Sequence, residues 1–299
     1  MCGIVGLFLK DASLKKDLGA LLAPMLVSLS DRGPDSTGFA IYGSETPGRT
    51  KLTLRGSAAT DFDETAKVVG RAIGDTVAIA RRDTHAVISV PSAKADLVPV
   101  QLAAIAPEIA VVGVGERMEL YKEVGSPSTV ITRFGLHRLS GTHGIGHTRM
   151  ATESAITTYG AHPFSTGSDQ CLVHNGSLSN HNNVRRYLQR DGVAFHTEND
   201  TEVAAGYMTW RMRQGLSLEE ALHAALGDLD GFYTFVVTTA SGFAVLRDPV
   251  ACKPAVMVET NTYVAFGTEY RALAELPGVE RGHIFEPAPA KVYIWERRL

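Results

Sequence analysis

Cysteine is scarce in this 299-residue sequence: it occurs at positions 2, 171 and 252, an odd number in a fairly long chain. That argues against a disulfide framework and for a reducing compartment, with the cytoplasm as the expected location. Charge of one sign is also lacking. With 29 basic against 32 acidic residues and a formal charge of -3, and with no local run of Lys or Arg, nucleic acid and anionic membranes are excluded as expected partners. No apolar run is long enough to span a bilayer; the stretch from Leu18 to Leu29 contains Pro24 and is too short. The apolar start has no basic n-region and meets Lys10 and Asp11 too soon for a signal peptide. There is no Pro/Gly/Ser linker, no tandem repeat and no His/Cys cluster with metal-ligand spacing, so one domain over 1–299 without a metal is expected. Gly113-Val114-Gly115 begins like a dinucleotide fingerprint, but Met118 stands where the third glycine belongs.

What is present begins at the first residues, Met1-Cys2-Gly3-Ile4-Val5-Gly6. If Met1 is removed, Cys2 carries a thiol and a free α-amino group together. Their unperturbed pKa values, about 8.5 and roughly 7.7 to 8.0, let one residue supply both a nucleophile and a base near neutral pH. Ile4 to Leu9 reads as a buried strand whose glycines allow close approach of its backbone. Leu14 to Leu29 has helical spacing, and the turn formers from Ser30 to Ser36 end it. Phe39 to Tyr42 and Lys51 to Leu54 read as a hairpin across Pro47-Gly48. From about Asp61 to Ser140 come a helix over Glu64 to Ile73, strands over Val77 to Ala80 and Ala86 to Val90, an apolar region, and a polar helix-like piece from Glu116 to Glu123. None of these carries a catalytic cluster. The C-terminal part reads as a β-meander with a helix near Glu269 to Leu276.

Three clusters carry candidate chemistry. Gly144 to Thr152 is strand-like and includes Arg149, whose planar fork suits a carboxylate; an ion pair at a strand end is the other reading. Asn175-Gly176, after an apolar approach, is the commonest signal for a hairpin turn. A side-chain amide beside an unobstructed N–H is also what an oxyanion hole needs. Asp200 stands at the start of a helix over Val203 to Arg213, where Asn199 and Glu202 have capping-box spacing. It either favours that N-terminus or receives the ammonium group of an amino-acid ligand.

Taken in order, Cys2-Gly3-Ile4-Val5-Gly6, Arg32-Gly33-Pro34-Asp35-Ser36, His147 to Thr152, Ala161-His162-Pro163, His174 to Asn180 and Asn199-Asp200-Thr201-Glu202 resemble the class II glutamine amidotransferases. Leu229-Asp230-Gly231-Phe232, Arg247-Asp248-Pro249 and Gly267-Thr268-Glu269 continue the resemblance, with Thr268 where many members have serine and Glu153 where some have histidine. It covers the chain apart from about 61–140, which is read as a family-variable insertion. The resemblance implies an α+β Ntn-hydrolase fold, a four-layer αββα sandwich of two antiparallel sheets between helical layers. It implies hydrolysis of the γ-amide of L-glutamine, with Cys2 as nucleophile and Asn175 and Gly176 holding the oxyanion. Arg149 and Asp200 match the family's partners for the α-carboxylate and α-ammonium; Thr152 and Arg32 also lie in matched motifs, Arg32 beside the nucleophile. No cofactor is implied for this chain.

Within the family, the Gly146 to Ser154 motif and the inserted segment look most like the stand-alone amidotransferase subunits of glutamate-synthase-like complexes, including N-methylglutamate synthase. There the partner synthase subunits carry a flavin and an iron-sulfur cluster, so a hetero-oligomer is expected. The alternatives are a free-standing γ-glutamyl amidohydrolase and a catalytically silent scaffold subunit. The 61–140 stretch is the candidate docking surface, or else simply covers the sheet.

Overall fold

The computed structural model describes residues 2–151 and 156–297. Along the chain run β1 (Gly3–Leu9), α1 (Leu18–Val27), β2 (Ser36–Tyr42), β3 (Arg49–Arg55), α2 (Phe62–Ile73), β4 (Ala78–Arg82), β5 (His85–Pro91), α3 (Leu97–Ile105), β6 (Ala110–Gly115), β7 (Met118–Val124) and α4 (Pro127–Phe134). The second half holds β8 (His143–Arg149), β9 (Phe164–Gly167), β10 (Gln170–Leu178), α5 (His181–Arg190), α6 (Asp200–Arg213), α7 (Leu218–Asp228), β11 (Gly231–Thr238), β12 (Gly242–Arg247), β13 (Val256–Glu259), β14 (Tyr263–Gly267), β15 (His283–Phe285) and β16 (Val292–Glu296).

Two antiparallel sheets face each other: a seven-stranded one in the order β15-β13-β14-β1-β8-β2-β7, and a five-stranded one in the order β16-β12-β11-β10-β9. Strand alternation makes the layers. Val5, Leu7 and Leu9 of β1 pack with Leu18, Leu22 and Leu26 of α1 and with Phe134 of α4. Ile4 and Phe8, on the opposite face, meet Val173, Val236 and Phe243 of the second sheet. The outer face of that sheet, with Leu172 and Phe235, is covered by Val203 and Tyr207 of α6 and Leu222 of α7. This is the expected helix-sheet-sheet-helix order. Gly6 shows why a side chain is missing there: a Cβ would stand 2.6 Å from the Phe243 ring.

A third sheet, β4-β5-β3-β6, stands beside the sandwich and has its own core. Leu52, Leu54, Ile88 and Val90 lie under Phe62 and Val69 of α2 and Val98 and Leu102 of α3. This sheet spans 49–115, so it starts earlier and ends earlier than the 61–140 stretch.

Four local expectations are corrected. β2 and β3 form no hairpin: β7 and β8 occupy both edges of β2, while β3 pairs with β5 and β6. The Glu116 to Glu123 piece is a strand, because its pattern has period two: Met118 and Leu120 enter the inter-sheet core and Tyr121 the opposite one. The C-terminal strands are not one meander, since β11 and β12 belong to the second sheet and β13 and β14 to the first. Near Glu269 there is only a 3-10 turn over Tyr270–Ala272, with β15 and β16 beyond it.

Candidate active site

Alternation along the strands determines the site. At one end of the inter-sheet space the apolar layer gives way to polar residues: Cys2 follows the parity of Ile4, Arg149 that of Ile145, Asn175 that of Val173, Thr234 that of Val236 and Thr268 that of Phe266. β1 pairs with β8 through Gly3 and Thr148, so Cys2 lies one step further along, opposite Arg149. Cys2 is half-buried, and its Sγ is 3.9 Å from the Met150 carbonyl oxygen.

The Cys2 backbone is held from two sides. Arg32 Nε donates to the Cys2 carbonyl oxygen at 3.1 Å, and Asn175 Nδ2 donates to the same oxygen at 3.4 Å. Arg32 in turn pairs with Glu269, which also pairs with Arg271 at 2.6 Å. Thr268 anchors the strand start: Ile4 N–H donates to Thr268 Oγ1 at 2.8 Å and Thr268 N–H returns a bond to Ile4 O at 2.9 Å. The threonine that departs from the family's serine therefore still supplies its hydroxyl. Asp35 fixes the far side, its N–H donating to Arg149 O at 3.1 Å and its carboxylate accepting from Ala151 N–H at 2.8 Å.

Asn175 and Gly176 form no turn. β10 runs straight through both, with Asn175 opposite Thr234 and Gly176 opposite Tyr233, which corrects the hairpin reading. The dipeptide looked like a turn because Gly176 does have a positive φ of 146°. The reason is contact: a Cβ there would stand 2.0 Å from Phe232 O. Asn175 is buried and presents its amide toward Cys2.

Asp200 is the first residue of α6, and Asn199 caps that helix by accepting from Thr201 N–H at 2.8 Å. Glu202 completes no capping box; its carboxylate instead accepts from the N–H groups of His196 and Thr197, each at 2.8 Å. Leu178 N–H donates to Asp200 Oδ2 at 3.0 Å, tying the helix to the end of β10. Burial pushes the Asp200 pKa up, but His174 at 3.6 Å, the Leu178 N–H and nearby His181 outweigh it and hold the group down at about 2. Asp200 is therefore an anion at neutral pH. His174 Nδ1 stands nearer to Thr201 Oγ1, at 3.0 Å. Thr201 also meets His162 at 3.2 Å, and His162 stacks on His147 with centroids 4.0 Å apart. Burial holds the His147 pKa down at about 3, so this ring is neutral.

The structure thus brings Cys2, Arg32, Arg149, Asn175, Gly176 and Asp200 to one end of the sandwich. Thr152 and the Glu153 departure lie outside the described residues. Sequence reasoning gave no role to Asp35, Thr268, Glu269 or His174, although each stands inside a quoted motif. Among the described residues no group of His, Cys, Asp and Glu could hold a metal ion, and no helix is long and apolar enough to cross a membrane.

A family model described as a glutamine amidotransferase domain matches residues 147–275. Over 299 residues, 100% of this chain and 99% of the relative, the sequence is 58% identical to a "Glutamine amidotransferase-like protein GlxB" of Rhizobium meliloti. It is 33% identical to a "Putative glutamine amidotransferase" of Methanothermobacter thermautotrophicus, covering 98% of this chain and 99% of that one. Among solved structures, a glutamine phosphoribosylpyrophosphate amidotransferase from B. subtilis superposes with a TM-score of 0.63 at 19% identity. That match covers 99% of this chain but 47% of the other, so this chain spans about half of that solved protein and shares its fold there.

Proposed function

The chain belongs to the glutamine amidotransferase family, as an enzyme of class II with the Ntn-hydrolase fold, and from that premise we propose that it hydrolyses the γ-amide of L-glutamine through Cys2. The observation that carries this reading is the bond from Asn175 Nδ2 to the Cys2 carbonyl, 3.4 Å across 173 positions of sequence, which sets an amide donor beside the thiol.

With Met1 removed, the Cys2 α-amine takes the thiol proton and the sulfur attacks the γ-carbonyl carbon. The C=O pair moves onto oxygen, where Asn175 Nδ2 and the Gly176 N–H receive the negative charge. Collapse breaks the C–N bond, the amine returns the proton to the leaving nitrogen, and ammonia departs from a thioester. Water, activated by the same amine, then hydrolyses the thioester to glutamate and frees the thiol. Arg149 takes the substrate α-carboxylate and Asp200 the α-ammonium, one charge for each end of a zwitterion. Arg32 holds the nucleophile's own carbonyl in place.

The finer reading is that the ammonia passes to a synthase subunit of a glutamate-synthase-like complex, N-methylglutamate synthase among them, with flavin and iron-sulfur chemistry residing in that partner. Support comes from large apolar side chains left exposed on residues adjoining the site: Met150 beside Cys2, Phe232, whose backbone carbonyl lies against Gly176, and Tyr270 next to Glu269.

The test is glutaminase activity of the purified protein with intact-mass analysis before and after labelling by a diazoketone analogue of glutamine. The reading expects loss of Met1, one adduct on Cys2 and no turnover in Cys2→Ala. Turnover by Cys2→Ala, or active protein retaining Met1, sinks it. Native mass of the protein from its host separates the finer readings: a fully active species with no stable partner favours the free-standing amidohydrolase, and a complex without turnover favours the scaffold.

A further inference from the structure

Residues 156–163 pass beside the guanidinium assigned to the substrate carboxylate: a Cβ built on Gly160 would lie 3.5 Å from Arg149 Nη1. Two adjacent residues of β7 hold this segment. Lys122, only 5% exposed, donates from Nζ to Tyr159 O at 3.2 Å, Ala161 O at 2.8 Å and Pro163 O at 3.3 Å, and lies 4.3 Å from the centre of the Phe164 ring. Among the described residues it has no ion pair, so all three of its donors serve one short run of backbone. Burying an ammonium without a carboxylate is costly, and the arrangement persists only if those carbonyls stay in place.

Glu123, on the opposite face of the strand, takes the segment's side chain, accepting from Thr158 Oγ1. The same carboxylate accepts from Thr84 Oγ1 at 3.2 Å and faces Arg133 at 3.8 Å, and Arg133 pairs with Asp83 at 2.7 Å. Asp83 and Thr84 form the turn between β4 and β5, so the buried carboxylate ties the segment to the third sheet. Arg55, the last residue of β3, adds a second tie: Nη2 donates to Thr158 Oγ1 at 3.4 Å, and its guanidinium lies 5.4 Å from the Tyr159 ring centre.

We propose that Lys122 and Glu123 are positioning residues for the glutamine pocket, fixing residues 156–163 beside Arg149, and that Thr84 and Arg55 extend this hold into the third sheet. The inference rests on the glutamine-hydrolysis reading above. It gives the 49–115 sheet a part in catalysis, through one threonine hydroxyl that it helps to hold.

The test is steady-state glutaminase kinetics on the full chain with Thr158→Val, which keeps the shape and removes the hydroxyl. The expected result is a KM for glutamine raised about tenfold with kcat changed less than about twofold, since misplacing a substrate clamp acts on binding before chemistry. Thr158→Ser restores the hydroxyl and is expected to restore KM; a merely structural role would not give that split and rescue. Arg55→Gln is expected to move KM in the same direction by less. An unchanged KM in Thr158→Val overturns the proposal, and an unchanged KM in Arg55→Gln overturns its extension to the third sheet. Failure of the wild-type protein to hydrolyse glutamine or be labelled at Cys2 would overturn the underlying reading instead, so the two failures are told apart.

Discussion

The third sheet and the polar end of the sandwich are built by opposite rules. In the third sheet, the covering helix α2 announces itself locally. Asp61 caps α2 by accepting from the N–H groups of Asp63 and Glu64 at 3.1 and 3.0 Å, Gly74 ends that helix in the left-handed region, and Glu64 pairs with Arg71 at 2.9 Å on its outer face. Around Cys2, the contacts are long-range. Cys2 meets Asn175 across the two sheets, while Arg32 meets Glu269 and Thr268 meets Ile4 where distant segments of the first sheet come together. Stability there is invested in placing polar groups, and in the third sheet it comes from burying apolar ones. Substitutions at the site should therefore change catalysis more than folding, and those in the apolar core of the third sheet the reverse.

The largest departure is expected at Asn175. Truncation to alanine removes the proposed oxyanion donor and should lower kcat by about 10²- to 10³-fold, as loss of such a donor does elsewhere. If stopped-flow or steady-state assays showed only KM moving, Asn175 would be a strand residue that happens to touch Cys2. Next come the two charges. Arg149→Lys keeps the charge but loses the fork, and Asp200→Asn keeps the shape but loses the charge. Each gives up a charge-assisted bond worth about 1.5 to 3 kcal/mol, which should appear mainly as weaker glutamine binding. Calorimetric titration of glutamine into Cys2→Ala carrying either change measures this directly; unchanged affinity returns that residue to an ion-pair or helix-terminus role.

The same contrast shows how far the sequence could be read. The site residues were picked out by the order of matched motifs; taken singly, the thiol at position 2, the arginine at a strand end and the acid at a helix start each left a structural reading open. Which strands pair was not legible. β2 and β3 are consecutive and both strand-like, yet they belong to different sheets because β7 and β8 claim both edges of β2, and no signal within ten residues encodes that. Asn175-Gly176 was ambiguous for a related reason: φ > 0 serves a turn and a close strand contact equally, and only the position of Phe232 O decides. The support residues escaped because a hydroxyl such as Thr268 or Thr158 acquires meaning from a partner far away in sequence.

Lys122 sharpens the comparison through pH. Burial lowers its pKa from 10.5 to about 8. Between these values the unfolded chain binds more protons than the folded one, so this group's contribution to stability rises with pH across that window. Tyrosines whose pKa is raised by burial, such as Tyr121, act in the opposite direction at higher pH. The difference between wild type and Lys122→Met isolates the lysine: denaturation midpoints at pH 8 and 10.5 should show a positive slope contribution in the wild type that the variant lacks. Equal slopes would mean the ammonium is better solvated than its three carbonyl partners suggest.

The smallest effect is expected at Asp61, on the far side of the third sheet from residues 156–163. Asp61→Ala removes the acceptor for two N–H groups of α2 and should cost about 1 kcal/mol of stability, the usual worth of an N-cap. The loss is limited because the helix start is exposed and water replaces the carboxylate there. Glutaminase kinetics should be unaltered, since α2 touches the other face of the sheet through Phe62 and Val69 while Arg55 and Thr84 make the contacts toward the site. A denaturant titration that shifts the midpoint while KM stays fixed would confirm that the third sheet acts on catalysis only where it reaches Thr158. If KM rose together with the loss of stability, the sheet and the site would be one cooperative unit, and the division drawn between them would fail.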